Sequence, residues 1–111
     1  MSYHDDWFMR QIEMIISTLL AVLFRGRKVG ETEEGRQLTS LLQQGKICQA
    51  EDLLWTHLDE GETNWLLPAV EFYQRANELS DAALEAQNFS REEIREGLER
   101  ICRQYGIDML V

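Results

Sequence analysis

The stretch "MIISTLLAVLF", residues 14–24, is the strongest hydrophobic feature of the chain and constrains its fold more than any other. Eleven residues without a charge are too few to span a bilayer, which takes about 20. Arg10 and Glu13 close the run on one side and Arg25 on the other. The run therefore belongs in a protein core or an interface. Placed at about 100° per residue, the sequence around it resolves into two sides. Phe8, Met9, Ile12, Ile15, Ile16, Leu19, Leu20, Val22 and Leu23 share an arc of about 160°. Arg10, Gln11, Glu13, Ser17 and Thr18 occupy the other side, yet Trp7, Met14 and Phe24 stand there with them.

This spacing predicts an amphipathic helix over about residues 6–25. Asp5 or Asp6 would cap its start, and Arg25, Arg27 and Lys28 suit the negative end of its dipole. One account makes it the central helix of a small bundle. A second uses its extra apolar residues as a homodimer seam, because a chain of 111 residues has little else to cover them. The candidates for that seam are Trp7, Phe8, Ile12, Ile15, Ile16, Leu19, Leu20 and Leu23. A third account sets "RGRK" against anionic lipid. Four basic positions beside an otherwise acidic protein make a weak anchor, so membrane attachment is disfavoured.

Downstream, "GRKVGETEEGR", residues 26–36, opens with a loop over residues 26–32, and Thr32, Glu33 and Glu34 can start a helix with acids in its first turn. Leu38, Leu41 and Leu42 form a short stripe that stops at Gly45. A third helix begins near Ile47 and carries Ile47, Ala50, Leu54 and Leu58 on one side, until "DEGETN" interrupts it. Pro68 belongs in the first turn of the next helix, where its missing N–H costs nothing. That helix starts within residues 64–67, runs to about Glu78, and presents Leu66, Ala69, Val70, Tyr73 and Ala76. Ser80 or Asp81 caps a short helix through Ala86. Ser90 and Glu93 form a capping box, with Phe89 and Ile94 placed as a hydrophobic staple. Ile94, Leu98, Ile101, Cys102 and Tyr105 then repeat at helical spacing, and Gly106 is the stop. Gly97 lies on that stripe, where a glycine costs about 1 kcal/mol against alanine, so close helix packing is expected there. No segment alternates with the period of a strand.

The expected fold is all-α: five or six short helices in a small bundle or a tetratricopeptide-like antiparallel array. It forms a single domain over residues 1–111, with an apolar first helix, a loop and helical hairpins over residues 33–105. A net charge of −9 accompanies this, distributed unevenly. Residues 1–30 hold four bases against three acids, and the remainder seven against seventeen. Such a field repels phosphate backbones, and no basic stripe is present. Nucleic acid is disfavoured as a partner, apart from the local basic residues 25–28.

Chemistry-bearing motifs are few. Cys48 and Cys102 are the only cysteines and have no ligand spacing, which points to reduced thiols in the cytoplasm. The acidic N-terminus lacks the character of a signal peptide. His4 and His57 have no partner at metal-ligand spacing, and a nucleophilic pair of His57 with either cysteine has no local support. Glu31, Glu33 and Glu34, and Asp59, Glu60 and Glu62, are better as solvated caps than as calcium loops. Phosphate-binding, dinucleotide and nucleophile-elbow motifs are missing. No cofactor or metal is expected.

Two resemblances bear on the fold. "GKICQAEDLL" resembles the turn of a tetratricopeptide hairpin: Gly45 makes the turn, Ile47 follows by two positions and Ala50 by five, where a small residue permits close packing. His57 stands where that repeat carries its second small residue, and no proline ends the unit. Over nearly the whole chain, "DWFMRQIEMI", "ELSDAALEAQNFSREEI" and "GLERICRQYGI" resemble a family of small all-helical bacterial proteins of unknown function. That resemblance implies helical pairing of the tetratricopeptide kind and supplies no activity or site residues.

The expectation is a non-enzymatic helical protein–protein interaction module, self-associating through its first helix or accepting an unidentified protein. Trp55 lies off its helix's apolar stripe and Trp65 opens the next helix. Both are candidates for the edge of the core or for aromatic anchors of a partner groove. The competing classes are a small enzyme or metal protein using an acidic or Cys/His site, and a peripheral membrane protein.

Overall fold

The computed structural model describes residues 3–24 and 31–107. They form an all-α fold of six helices: α1 (Tyr3–Leu19), α2 (Glu33–Gln43), α3 (Ile47–Asp59), α4 (Leu66–Asn77), α5 (Asp81–Ala86) and α6 (Arg91–Gln104). A π turn, Leu20–Phe24, extends α1, and a 3-10 turn, Thr63–Trp65, leads into α4. Most of the expected loop, residues 26–30 with Arg27 and Lys28, lies outside the described residues, as does Arg25 at the expected end of the first helix.

Local chemistry sets most of the boundaries. Thr32 accepts from the Gly35 amide at 3.0 Å and Ser80 from Ala83 at 3.1 Å, each satisfying an amide that has no partner within its helix. At α6 the capping box is complete: Glu93 N donates to Ser90 Oγ at 3.2 Å and Ser90 N to Glu93 Oε2 at 2.9 Å. Pro68 sits in the first turn of α4. Gly45 turns the α2–α3 hairpin with φ +75°, a conformation that costs glycine nothing. α3 has no capping side chain of its own. Instead Gln87, at the end of α5, reaches across to accept from the Ile47 amide at 3.1 Å.

α4, not the first helix, is the centre of the molecule. It packs against α1, α2, α3 and α6, and buries Leu66, Pro68, Ala69, Val70, Phe72, Tyr73, Ala76 and Asn77. Each large apolar side chain so enclosed contributes about 1.5–3 kcal/mol. α1 packs on α6 as well as on α4, so the two ends of the chain close around α4. The helices thus form a bundle rather than an open row of stacked hairpins.

Two further expectations for α1 are corrected. Its backbone is helical from Tyr3, so Asp5 and Asp6 lie inside the helix rather than at its N-cap. Its α-helical part ends at Leu19 rather than near residue 25. Beyond Leu19 the i→i+5 bonding of the π turn lowers the rotation to about 82° per residue. That change swings Phe24 toward the core, where it is partly buried, and turns Val22 out to 49% exposure. A straight helical wheel assigns the two the other way round.

A charged pin locks the lower half. Arg91 is only 4% exposed, and its guanidinium donates to the Asn77 carbonyl at 2.8 Å, Asn77 Oδ1 at 3.0 Å, the Leu79 carbonyl at 2.7 Å and Asp81 Oδ1 at 3.1 Å. It ties the end of α4, the start of α5 and the start of α6 to one group.

Candidate functional site

Among the described residues, three large apolar side chains are exposed: Trp7 at 50%, Met14 at 56% and Val22 at 49%. All three belong to α1 and its π turn. With about 100° per residue to Leu19 and about 82° beyond it, they fall within about 30° of one line along the helix. Gln11 and Thr18, both partly exposed, lie beside that line. Trp7 is steadied from α6, where the Arg95 guanidinium stands 5.9 Å from its ring centroid and 5.2 Å from that of Phe8. Arg95 also donates to Gln11 Oε1 at 3.0 Å.

The eight residues expected at a seam divide sharply. Phe8, Ile12, Ile15, Ile16 and Leu19 are buried in the protein's own core, so they are not available to a second molecule. Leu20 and Leu23 are partly buried against the same core. Only Trp7 stands out on the surface. Met14 joins it, a residue already misplaced on the polar side of the wheel. Val22 joins through the π turn, and nothing in the sequence marks that turn. By length and composition Trp7–Phe24 is also long and apolar enough to cross a membrane, at mean hydropathy 1.5.

Neither tryptophan of the expected partner groove is a surface anchor. Trp55 is 7% exposed and Trp65 4%. Trp55 Nε1 donates to Tyr73 Oη at 2.8 Å, and Tyr73 Oη donates in turn to Glu51 Oε2 at 2.7 Å. Arg100 covers the Trp55 ring at 3.9 Å and grips Asp59 with both contacts at 2.9 Å. Glu51, Trp55 and Arg100 edge a cleft between α3 and α6 with Asp52, Glu93, Glu96, Gly97 and Arg103. Desolvation holds the Glu51 carboxyl above its ordinary range; Glu93 and Asp52 add to this, while the Tyr73 hydrogen bond and Arg100 oppose it. Burial, then Glu51, pushes the Tyr73 phenol well above its usual value. The relay is thus a neutral donor serving a strained carboxylate.

Gly97 forms the close contact expected of it. A Cβ there would lie 2.7 Å from Tyr73 Cε1 and closer still to its Cζ and Oη. The bare glycine admits the ring that carries the relay.

Trp65 stacks on His57 with centroids 4.2 Å apart, and His57 Nδ1 pairs with Glu62 Oε2 at 2.8 Å. That hydrogen bond lowers the Glu62 carboxyl. His57, Glu60 and Glu62 each bring a ligand-type atom within 4.8 Å of the others. Asp59, the third member of the acidic knot read from the sequence, is committed to Arg100 instead. Cys48 is exposed and donates to the Gln87 carbonyl at 3.6 Å. Cys102 is buried. His57 is engaged by Glu62 and Trp65 rather than by either thiol. Desolvation raises both thiols, with Glu93 the next cause at Cys48 and Glu99 at Cys102, which disfavours the nucleophilic thiolate.

A family model described as a family of unknown function, DUF6483, matches residues 2–106. No curated protein and no solved structure matches the chain.

Proposed function

Because the chain belongs to DUF6483, a family that assigns no activity, we propose its role from the surface it presents: a non-enzymatic helical interaction module that self-associates through the outer row of α1. The carrying observation is that the large apolar side chains exposed among the described residues all lie on that one row. Scattered single exposures are ordinary, whereas a line of them on one element marks an interaction surface. A cytoplasmic setting belongs to this reading and is supported by two unpaired cysteines. The raised thiols favour it over an enzyme with a cysteine nucleophile.

The test is molar mass by light scattering across a dilution series, for the wild type and for Met14→Glu. Met14 is 56% exposed, so the variant keeps its fold, whereas the same change at the buried Ile16 would only unfold the protein. A wild-type dimer that becomes a folded monomer in Met14→Glu supports the proposal. A wild type that stays monomeric at every concentration overturns it. Co-sedimentation of such a monomer with anionic vesicles, lost in the variant, would reassign the row to a membrane surface.

A further inference from the structure

The end of α3 folds three metal-ligating side chains onto one point. His57, Glu60 and Glu62 are spaced by three and then two residues, which a continuous helix would not gather. At about 100° per residue Glu62 would stand about 140° around the axis from His57. The helix ends instead. Glu60 is its C-cap, Gly61 reverses the chain with φ +82°, and the Glu62 amide donates to the His57 carbonyl at 3.1 Å. The reversal returns Glu62 to His57, with Oε2 and Nδ1 2.8 Å apart. One ligand atom from each of the three residues then lies within 4.8 Å of the others.

Those distances suit one class of ion. Zinc binds imidazole nitrogen and carboxylate oxygen at about 2.0–2.2 Å, so neighbouring ligand atoms of a tetrahedral site lie about 3.4 Å apart. The separations here, from 2.8 Å to at most 4.8 Å, bracket that spacing. The free ends of two glutamates can adjust by the remainder. The imidazole selects against calcium and magnesium, which take oxygen ligands. Two carboxylates balance the double charge of the ion, and α3 directs the negative end of its dipole at the same place. The imidazole plane is already fixed, stacked on the buried Trp65 ring at 4.2 Å with 1° between the planes, so little freedom is lost on binding. The side chains of His57 and Glu62 are 30% and 40% exposed, which gives an ion a way in, and three protein ligands leave a fourth position for water.

We propose that His57, Glu60 and Glu62 bind one zinc-type divalent ion, which takes the place of the proton shared by His57 and Glu62 and releases it to solvent. The site lies on α3, apart from the row on α1, and does not depend on the self-association reading. Its test is isothermal titration calorimetry with Zn²⁺ on the wild type, Glu60→Gln, His57→Gln and Cys48→Ser, each first compared with the wild type by far-UV circular dichroism. The wild type and Cys48→Ser should each take up one ion per chain, and Glu60→Gln and His57→Gln should each weaken uptake about tenfold or more. Glu60 is exposed, so its variant keeps the fold and carries the test if loss of the stack on Trp65 unfolds His57→Gln. A wild type with no saturable uptake up to about 1 mM Zn²⁺ overturns the proposal. Uptake left unchanged by either substitution in a folded variant overturns it as well. Uptake lost in Cys48→Ser does the same, because the exposed thiol would then be the ligand.

Discussion

Replacing Gly97 with alanine adds one methyl group and tests the tightest contact in the molecule. The new Cβ would meet the Tyr73 ring at less than a carbon–carbon contact, with Cε1 at 2.7 Å and the phenol end nearer. Tyr73 is fully buried and held at both sides of its hydroxyl, by Trp55 at 2.8 Å and Glu51 at 2.7 Å. The far end of a flexible side chain could yield cheaply; a ring held in this way cannot. Alanine returns about 1 kcal/mol of helix propensity. Overpacking costs about 1–3 kcal/mol, and displacing the phenol from a charged acceptor costs a further 1.5–3 kcal/mol or so. The net is a loss of about 1.5–5 kcal/mol. For a domain of this size that lowers Tm by about 6–20 °C, measured by far-UV circular dichroism. A melting temperature equal to or above wild type would refute the contact. A double-mutant cycle sharpens the test: Tyr73→Phe should cost less in the alanine background than in the wild type, because the colliding hydroxyl has gone. Strict additivity would show that the two sites do not touch.

Glu51→Gln should raise Tm at pH 7. A carboxyl whose folded pKa is raised subtracts stability above that pKa and subtracts none below its unfolded value, so the advantage should close as pH falls below the ordinary carboxylate pKa of 4.5. A variant less stable at pH 7, by a margin independent of pH, would contradict the strained-carboxylate account. Arg91→Met strands the Asn77 and Leu79 carbonyls in a buried site and should cost about 3–5 kcal/mol in urea unfolding. Arg91→Lys should not rescue it, because one ammonium cannot serve acceptors spread across the guanidinium fork; wild-type stability in either variant would remove the pin.

Those features that depend on neighbours in sequence were legible there. The Ser90–Glu93 box, the Ser80 cap and the placement of Pro68 follow from backbone groups within a few positions, and the need for a small residue at 97 from its place on an apolar stripe. What escaped depends on partners far along the chain. Arg91 looks like one more surface base until Asn77, 14 residues earlier, is folded beside it. Trp55 looks stranded off its stripe until Tyr73 from α4 receives its N–H. The centrality of α4 is likewise invisible locally, since its stripe is no stronger than that of the first helix. The outer row of α1 was half visible: Trp7 and Met14 broke the wheel, while Val22 and Phe24 were exchanged by a bonding pattern that a uniform period does not contain.

The packing of α1 on α6 also has a consequence for biosynthesis. Gln11 and Arg95, which join the two helices, are 84 residues apart. At about 5–20 residues per second, a ribosome makes the second roughly 4–17 seconds after the first. Throughout that interval the nascent chain carries Phe8, Ile12, Ile15 and Leu19 with no completed surface to receive them. The most apolar segment is translated well before the helix that completes its housing. Truncations that stop short of α6 should accumulate as aggregates rather than as smaller folded domains.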